Sequence, residues 1–294
     1  MKAADLPKEV LTQFDQYVHG GIDRRGFLDG AAKFAVGGMT AAAMFEFLRP
    51  NYALAQQVQP NDQRIHTEYV TFESRDGYGR VRGYLAKPSA RLRSTLPAVL
   101  VVHENRGLNP YIEDVARRLA VANFIALAPD GLTSLGGYPG NDEAGTTMQA
   151  KLDAGKLLQD FISGARFLRE DNQTNGKVGV VGFCFGGGIT NQVAVWLPYL
   201  QAAAPFYGPQ PKTGDVVRIQ APLLIHYAGM DDRINAGWPA YETALKAAKK
   251  KYTMYTYPNT MHGFHNDTTP RYDAAAAKLA WDRTIEFFNQ NLRT

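Results

Sequence analysis

Hydrophobic and polar positions alternate in blocks along the chain from about residue 65 onward. Short and nearly continuous apolar runs, such as Ala-Val-Leu-Val-Val at 98–102, are typical of strands that are buried on both faces of a sheet. Longer stretches between these runs carry apolar residues three and four positions apart, which predicts helices. Because strands that alternate with helices form βαβ units, the pattern predicts an α/β fold with a doubly wound, mostly parallel sheet.

The pattern also places the individual elements. Strands are predicted at 65–72, 80–86, 98–103, 124–128, 177–182, 202–207, 222–227 and 252–257. Helices are predicted at 112–122, 147–168, 187–196, 239–250 and 273–291. The first two strands flank Asp76 and Gly77, a dipeptide typical of tight turns, so we expect an antiparallel hairpin at an edge of the sheet. No linker interrupts the rest, and residues 56–294 are predicted to be a single domain.

Residues 1–55 have a different composition and contain a possible export signal. Asp-Arg-Arg-Gly-Phe-Leu at 23–28 resembles a twin-arginine motif. An Ala-, Gly- and Met-rich stretch follows at 30–48, and Ala-Leu-Ala at 53–55 fits a signal peptidase site that would leave Gln56 as the first residue. The sequence therefore predicts an exported, periplasmic protein.

The alternative interpretation of residues 1–55 is a helical segment that packs on the domain of a cytoplasmic protein. The stretch up to and including the two arginines has no net positive charge, and Lys33 and Glu46 interrupt the apolar core that a signal needs. On either interpretation, we expect this segment to carry no chemistry.

Composition narrows the class of protein. A chain of 294 residues with 45% hydrophobic and 20% charged residues can bury a large core, which excludes intrinsic disorder. The net charge of +4 is small and diffuse, which argues against a nucleic-acid partner.

No apolar run reaches the roughly 18 residues of a membrane span, so we expect no stable membrane insertion after processing. Cys184 is the single cysteine, which excludes an intramolecular disulfide. No oligomeric state is predicted.

The most informative stretch is 178–188, where an apolar strand leads through Gly-x-Cys-x-Gly into a helix. Gly182, Cys184 and Gly186 have the form of a nucleophile elbow, in which strand and helix approach so closely that the flanking residues must be small. Such a turn exposes the sulfur at the carboxyl edge of the sheet. It also points the Phe185 N–H at any oxyanion formed beside the sulfur. The alternative is a glycine-rich turn with a packing cysteine.

A thiol nucleophile needs a base, and the base needs a carboxylate that orients it. Asp232 follows the predicted strand 222–227, and His262 follows the predicted strand 252–257. The order nucleophile, acid, histidine is that of α/β-hydrolases. Asp231 and His265 compete for the same two roles, and the residues by themselves leave both pairs open.

Together these motifs resemble the dienelactone hydrolase family of α/β-hydrolases, from about residue 65 to residue 292. The family has a Gly-x-Cys-x-Gly-Gly elbow, and its early Glu followed by Gly-x-Asn is matched at 103–109. Its acid lies in Gly-x-x-Asp, which favours Asp232, and its histidine lies in His-Gly-Phe, which favours His262. The resemblance implies an α/β-hydrolase fold. It also implies that Glu104 lies near the thiol and takes part in switching it between a resting and an activated state.

The sequence departs from the family where the substrate carboxylate is bound. Family members use one arginine in the region that is 133–149 here and one just after the histidine motif, at 265–267 here, and neither stretch contains arginine. We therefore expect uncharged esters or lactones to be preferred over dienelactone. The alternative is that Arg106 or Arg233 reaches the pocket from a different direction and binds an anion there, although each is more typical of a solvated loop residue. Tyr138, Tyr207 and Trp238 are aromatic residues near strand ends and are candidates for lining the substrate pocket.

The resulting hypothesis is a hydrolase of a small ester or lactone, with a Cys184, His262 and Asp232 triad and a thioacyl intermediate. The Phe185 N–H and an N–H of the 104–107 loop, assigned to Asn105, would form the oxyanion hole, and neither a metal nor a cofactor is expected. Two other classes remain. A redox-sensing thiol protein is disfavoured because there is no second cysteine, and a catalytically silent scaffold that binds a ligand is disfavoured because the triad is complete.

Overall fold

The computed structural model describes residues 3–35, 39–53, 56–90 and 95–293. One eight-stranded sheet lies at its centre. Its strands are β1 (Ile65–Ser74), β2 (Gly79–Pro88), β3 (Leu96–Val102), β4 (Ile125–Pro129), β5 (Thr174–Phe183), β6 (Ala202–Phe206), β7 (Leu223–Ala228) and β8 (Tyr252–Tyr257). The helices are α1 (Lys8–Val18), α2 (Arg24–Ala31), α3 (Ala41–Leu48), α4 (Pro110–Val121), α5 (Asp142–Gln149), α6 (Ala154–Glu170), α7 (Phe185–Trp196), α8 (Asp232–Asn235), α9 (Trp238–Ala247) and α10 (Ala274–Leu292).

The strands are arranged in the order β1-β2-β4-β3-β5-β6-β7-β8. The hairpin β1–β2 is antiparallel and joins β4 in antiparallel fashion, whereas every other neighbouring pair is parallel. The predicted α/β fold with an N-terminal antiparallel hairpin is therefore confirmed. Because β3, β5, β7 and β8 are all parallel, the loops that follow them meet at one edge of the sheet.

Both faces of the central strands are buried, which explains their continuous apolar sequence. In β3, Leu100 and Val102 face one layer of the core together with residues of α6, α7 and α9. Val99 and Val101 face the other layer, which α4 and α10 cover. This alternation is the two-residue period of a strand.

One predicted helix is divided in the structure. The single helix expected at 147–168 is replaced by α5 and α6, with a turn between Gln149 and Ala154. Asp153 causes the restart, because its side chain accepts a hydrogen bond from the Lys156 N–H at 2.8 Å and caps the new helix. The apolar spacing continues across this break, so periodicity alone did not reveal it.

Helices α1, α2 and α3 form a separate layer, which we call the N-terminal segment (residues 3–35 and 39–53); residues 56–90 and 95–293 are the sheet domain. The segment has its own apolar cluster, which includes Phe14, Phe27 and Phe45. Arg24 lies over the Phe45 ring at 4.9 Å. The export signal at 1–55 stays a prediction, and its cleavage pattern at 53–55 extends to residues 54 and 55, outside the described residues.

The segment docks on the sheet domain near the carboxyl edge of the sheet. Met261 of the sheet domain packs against the segment's cluster. The Asn51 N–H donates to the Thr268 carbonyl at 2.7 Å. Among the described residues, no helix is both long enough and apolar enough to cross a membrane.

Candidate active site

Cys184 lies at a strained turn between β5 and α7. Its φ of 57° and ψ of −116° lie outside the regions that non-glycine residues usually occupy. The two flanking glycines make this turn possible. A Cβ on Gly182 would lie 2.2 Å from the Gly186 carbonyl oxygen, and a Cβ on Gly186 would lie 2.3 Å from the Val102 carbonyl oxygen. The sequence pattern therefore produces the geometry of a nucleophile elbow.

His262 lies opposite the sulfur, on the loop after β8. The Cys184 sulfur, one ring nitrogen of His262 and one ring nitrogen of His19 lie within 4.8 Å of one another. Nδ1 of His262 lies 2.5 Å from Oδ2 of Asp231. Its Nε2 is buried without a hydrogen-bond partner among the described residues. That nitrogen is therefore available for proton transfer at the sulfur.

The carboxylate partner of His262 is Asp231, so the assignment of Asp232 to this position was wrong. Asp231 is buried, and its Oδ1 also accepts the Ile234 N–H at 3.3 Å, which caps α8. Asp232 is the first residue of that helix and is exposed. The cap turns one carboxylate inward and the next one outward, a difference that the Gly-x-x-Asp pattern does not reveal.

His265, the competitor of His262, lies in the core. Its Nδ1 lies 2.7 Å from the Tyr111 hydroxyl, and its ring stacks on Phe183 at 5.1 Å. Burial, with Arg118 adding to the effect, holds the pKa of His265 well below its ordinary value. His265 is thus a neutral packing residue.

The charges at the site favour a thiolate. Burial alone would raise the pKa of the Cys184 thiol, but His262 and His19 outweigh burial and hold that pKa well below its ordinary value. Burial lowers the pKa of His262, whereas the thiolate and Asp231 raise it, with a net rise to about 10. These directions favour a thiolate at Cys184 beside an imidazolium at His262.

Glu104, for which the family resemblance implies a position near the thiol, is buried and interacts electrostatically with Cys184. Its Oε2 accepts a hydrogen bond from Asn266 Nδ2 at 3.0 Å. Burial raises the pKa of Glu104, Arg106 opposes this effect, and the Cys184 thiolate adds to it. A carboxyl group in such surroundings can hold a proton near the sulfur.

The two candidates for the oxyanion hole differ in what their atoms contact. Phe185 is the first residue of α7, so its N–H is at the positive end of that helix. The side chain of Asn105 donates from Nδ2 to the Val18 carbonyl oxygen at 2.5 Å, across to the N-terminal segment. Only the backbone N–H of Asn105 therefore fits the predicted role.

Of the three aromatic candidates, Tyr207 alone contacts a site residue directly. Its ring meets the His262 ring edge-on, with centroids 5.0 Å apart. Tyr138 donates to Asp142 at 2.8 Å, in the ion-pair network of Arg106 rather than at the sulfur. Trp238 was wrongly proposed as a pocket residue, because it packs against aromatic side chains of the core such as Tyr241.

Sequence reasoning missed His19, which the N-terminal segment brings to the site. Nε2 of His19 lies 3.4 Å from the Cys184 sulfur. The neighbouring Asp15 contacts His19 Nδ1 through its backbone oxygen at 2.7 Å and its Oδ1 at 3.3 Å. The signal that could have identified it is the run His-Gly-Gly at 19–21 after an amphipathic helix, which is typical of a helix end with a fixed last residue.

Sequence reasoning also missed Arg271. It is buried, its Nε has no hydrogen-bond partner among the described residues, and it lines a cavity of about 320 Å³ together with His262. A Cβ on Gly263 would lie 3.6 Å from its guanidinium carbon. Residues 265–267 contain no arginine, but the fold brings the guanidinium of Arg271 to a cavity that His262 also lines.

Known protein families match both the sheet domain and the N-terminal segment. A model described as "Dienelactone hydrolase family" matches residues 81–292, and a separate model described as "YqhI-like" matches residues 1–34. "Putative carboxymethylenebutenolidase" of Escherichia coli K12 is 31% identical over 249 residues, which is 79% of this chain and 90% of the relative. A stretch of 115 residues, 39% of this chain, is 63% identical to "Putative hydrolase fragment YghX" of the same strain and covers 97% of it.

Solved structures share the fold. The crystal structure of a "Putative Dienelactone Hydrolase" from Klebsiella pneumoniae aligns with a TM-score of 0.68 and 27% identity, over 77% of this chain and 99% of the other. The dienelactone hydrolase of Anabaena variabilis aligns with a TM-score of 0.62 and 23% identity, over 78% of this chain and 100% of the other.

Proposed function

The chain belongs to the dienelactone hydrolase family and is an ester or lactone hydrolase, and we propose that it works through a Cys184, His262 and Asp231 triad and a thioacyl intermediate. One observation carries this proposal. The sulfur at the strained elbow lies within 4.8 Å of a ring nitrogen of His262, and His262 Nδ1 contacts Asp231.

The first half of the reaction transfers the acyl group to sulfur. The Cys184 thiolate adds to the carbonyl carbon of the ester or lactone and forms a C–S bond, and the carbonyl π electrons move to oxygen. When the oxyanion collapses, the C–O bond to the leaving group breaks. His262 donates its Nε2 proton to the departing alkoxide and becomes neutral. In a lactone, that alcohol stays attached to the acyl chain.

The second half returns the enzyme to its starting state. Neutral His262 takes a proton from water, and the resulting hydroxide adds to the thioester carbon. Collapse of this second oxyanion breaks the C–S bond and regenerates the thiolate beside the imidazolium. Asp231 holds Nδ1 throughout, which keeps Nε2 directed at the reacting atoms. The Phe185 and Asn105 N–H groups would stabilise both oxyanions.

Glu104 has a proposed role in the resting enzyme. A thiolate and a buried carboxylate repel each other, so the pocket favours a protonated Glu104 while the sulfur is charged. A substrate that displaces either the Glu104 carboxyl group or the Cys184 sulfur weakens the repulsion between them and so changes the pKa of the group that stays in place. We therefore propose that Glu104 adjusts the state of the thiol before acylation rather than during it.

The test is hydrolysis of p-nitrophenyl acetate by the wild type and by Cys184→Ala. Loss of a triad nucleophile costs several orders of magnitude in rate, so we expect the variant to show no enzymatic turnover and an unchanged circular dichroism spectrum. Rapid acid quenching of the wild type should show one acetyl group on the peptide that contains Cys184. Full turnover by a folded Cys184→Ala protein would reject the mechanism.

His265→Asn provides a matched control for His262→Asn. Both histidines are buried, but only His262 faces the sulfur, so a folded His265→Asn protein should hydrolyse the ester while His262→Asn should not. Treatment of the wild type with peroxide should abolish turnover by oxidising the thiolate. Turnover that persists after such oxidation would show that the sulfur does not carry the reaction.

A further inference from the structure

The Cys184 sulfur faces two imidazoles, and the proposed triad uses only one of them. His19 Nε2 lies 3.4 Å from the sulfur, and the His19 ring meets the His262 ring edge-on with centroids 4.9 Å apart. The two rings come from opposite ends of the chain and converge on a single atom.

The position of His19 is set by the way in which α1 ends. His19 is the C-cap, and Gly20 follows it with a left-handed φ of 76°. The Gly20 N–H donates to the Tyr17 carbonyl at 3.1 Å, and the Gly21 N–H donates to the Gln16 carbonyl at 2.8 Å. These two bonds form a Schellman motif, which fixes the last side chain of the helix relative to its axis. A cation at this end also interacts favourably with the helix dipole.

Asp15 supports His19 as Asp231 supports His262. Nδ1 of His19 is hydrogen-bonded to the Asp15 backbone oxygen at 2.7 Å, with the carboxylate Oδ1 at 3.3 Å, whereas Nδ1 of His262 lies 2.5 Å from the Asp231 carboxylate. Each contact directs the other ring nitrogen toward the sulfur. Burial lowers the pKa of His19, but the Cys184 thiolate and Asp15 outweigh it and raise that pKa to about 9. The pKa of Asp15 itself is lowered despite its burial, mainly because of its contact with His19.

We propose that His19 is a second catalytic imidazole, which holds the Cys184 thiolate together with His262 and makes the N-terminal segment part of the active site. This inference rests on the proposed function. Protonated Nε2 of His19 donates a hydrogen bond to the sulfur, and no bond to His19 is made or broken. The same hydrogen bond stabilises the thiolate again when it leaves the thioester in the second half of the reaction.

Arg233 must move for this role. Its Nη2 lies 2.9 Å from His19 Nε2, and a guanidinium cannot donate to a nitrogen that already carries a proton. The Arg233 side chain is 45% exposed, and its Nε is already 3.3 Å from Asp15 Oδ2, so it can turn toward that carboxylate.

The test is the pH dependence of alkylation by iodoacetamide in the presence of EDTA, since Cys184 is the single cysteine. Loss of one imidazolium should move the apparent pKa of the thiol upward in His19→Asn by about one to two units. Alkylation near pH 6 should then be slower by about tenfold. Above roughly pH 9 the variant should react as fast as the wild type or faster, because a more basic thiolate is the better nucleophile.

Two further variants separate this role from a structural one. Asp15→Asn leaves the ring in place but weakens its proton affinity, so it should shift the same pKa upward by a smaller amount. His66→Asn is the matched control. His66 is exposed on β1, and its ion-pair partner among the described residues is Glu68 alone. Its alkylation profile should superimpose on that of the wild type.

Three results would overturn the inference. Superimposable profiles for the wild type and a folded His19→Asn protein would show that His19 does not act on the sulfur. Faster ester hydrolysis by that variant would mean that the ring only blocks the pocket. Protection by Zn²⁺ that requires His19, with no change of profile in EDTA, would mean a metal site instead. The alkylation assay measures the acidity of the Cys184 thiol without an ester substrate. A failure of the proposed ester hydrolysis would therefore be detected in a separate assay.

Discussion

His262 and His19 reach the same sulfur from two regions that are built in different ways. His262 and Asp231 follow β8 and β7, neighbouring parallel strands whose hydrogen bonds bring both loops to one edge of the sheet. His19 and Asp15 lie one turn apart at the end of a single helix and reach the sulfur because the N-terminal segment docks there. The topology of the sheet sets the position of the first pair, and a docking surface sets that of the second.

Because the two pairs are held in different ways, we expect the His262–Asp231 pair and the His19–Asp15 pair to have different roles. Displacing a strand end would disrupt the central sheet, so the His262 pair is fixed relative to the elbow. The segment is held by contacts such as Asn105 to Val18 and the packing of Met261 on its apolar cluster. We therefore expect changes at the first pair to abolish hydrolysis and changes at the second pair to adjust the acidity of the thiol.

The largest effect should come from the carboxylate of the first pair. In Asp231→Asn, the imidazole loses the partner that fixes its tautomer, and kcat/KM should fall roughly a thousandfold to ten-thousandfold. Asp232→Asn alters an exposed carboxylate one residue away and should stay within about twofold. Steady-state kinetics with p-nitrophenyl acetate measure both, and equal losses would show that the assignment by geometry is wrong.

Arg271 should give the next largest effect, on substrates that carry a negative charge. Its unpartnered Nε can donate a charge-assisted hydrogen bond of about 1.5–3 kcal/mol to a substrate carboxylate. Arg271→Gln should therefore lower kcat/KM for a p-nitrophenyl hemiester with a free carboxylate by about tenfold or more, and change the acetate ester much less. Equal losses on both esters would assign Arg271 to structure. Such a result would be consistent with the prediction from the sequence that uncharged esters are preferred over esters that carry a carboxylate.

A smaller effect should follow from loosening the segment. Asn105→Ala removes the bond to Val18 but keeps the Asn105 N–H, so we expect about a fivefold loss of kcat/KM, the equivalent of one hydrogen bond. Asn175→Ala is the matched control, because Asn175 makes a similar bond to Leu292 far from the elbow. A hundredfold loss in Asn105→Ala would instead mean that the side chain itself contacts the oxyanion.

The smallest effect is expected at the turn after α1. Gly20→Ala adds a methyl group in open space at a φ of 76°, so its cost of about 1 kcal/mol in the free energy of unfolding is conformational. Gly214→Ala adds the same group in open space on the sheet domain, without a left-handed backbone, and should leave that free energy nearly unchanged. Urea denaturation compares the two, and equal costs would show that the strain is not at Gly20.

Much of the sheet domain could be predicted because its signals are local. The buried strands have continuous apolar sequences, and the turn at Cys184 requires Gly182 because a Cβ there would meet the carbonyl oxygen of Gly186, only four positions on. His262, which lies near the sulfur in the structure, was predicted from its motif. Asp231 was missed because the choice between two adjacent carboxylates depends on the cap of α8, which is a matter of backbone geometry rather than residue type.

His19 and Arg271 could not be located in this way because their neighbours are distant in sequence. His19 lies 165 residues from Cys184, and the contact follows from the docking of one layer on another. Arg271 lies beyond the stretch where an arginine was sought, and the loop after His262 brings it back. The run His-Gly-Gly at 19–21 indicates where a helix ends, but no spacing in the chain indicates that His19 reaches the sulfur or that Arg271 lines the cavity beside His262.

If His19 has the proposed role, the Schellman turn places part of the reaction in the stretch for which the sequence predicts removal before Gln56. A precursor and its processed product would then be two enzymes with different thiol acidity: the longer form would be reactive in mild acid and the shorter one only nearer to alkaline conditions. Cleavage would then change the acidity of the Cys184 thiol as well as the location of the protein. Sequencing the amino terminus of the protein from its native host, together with its alkylation profile, identifies which of the two forms works there.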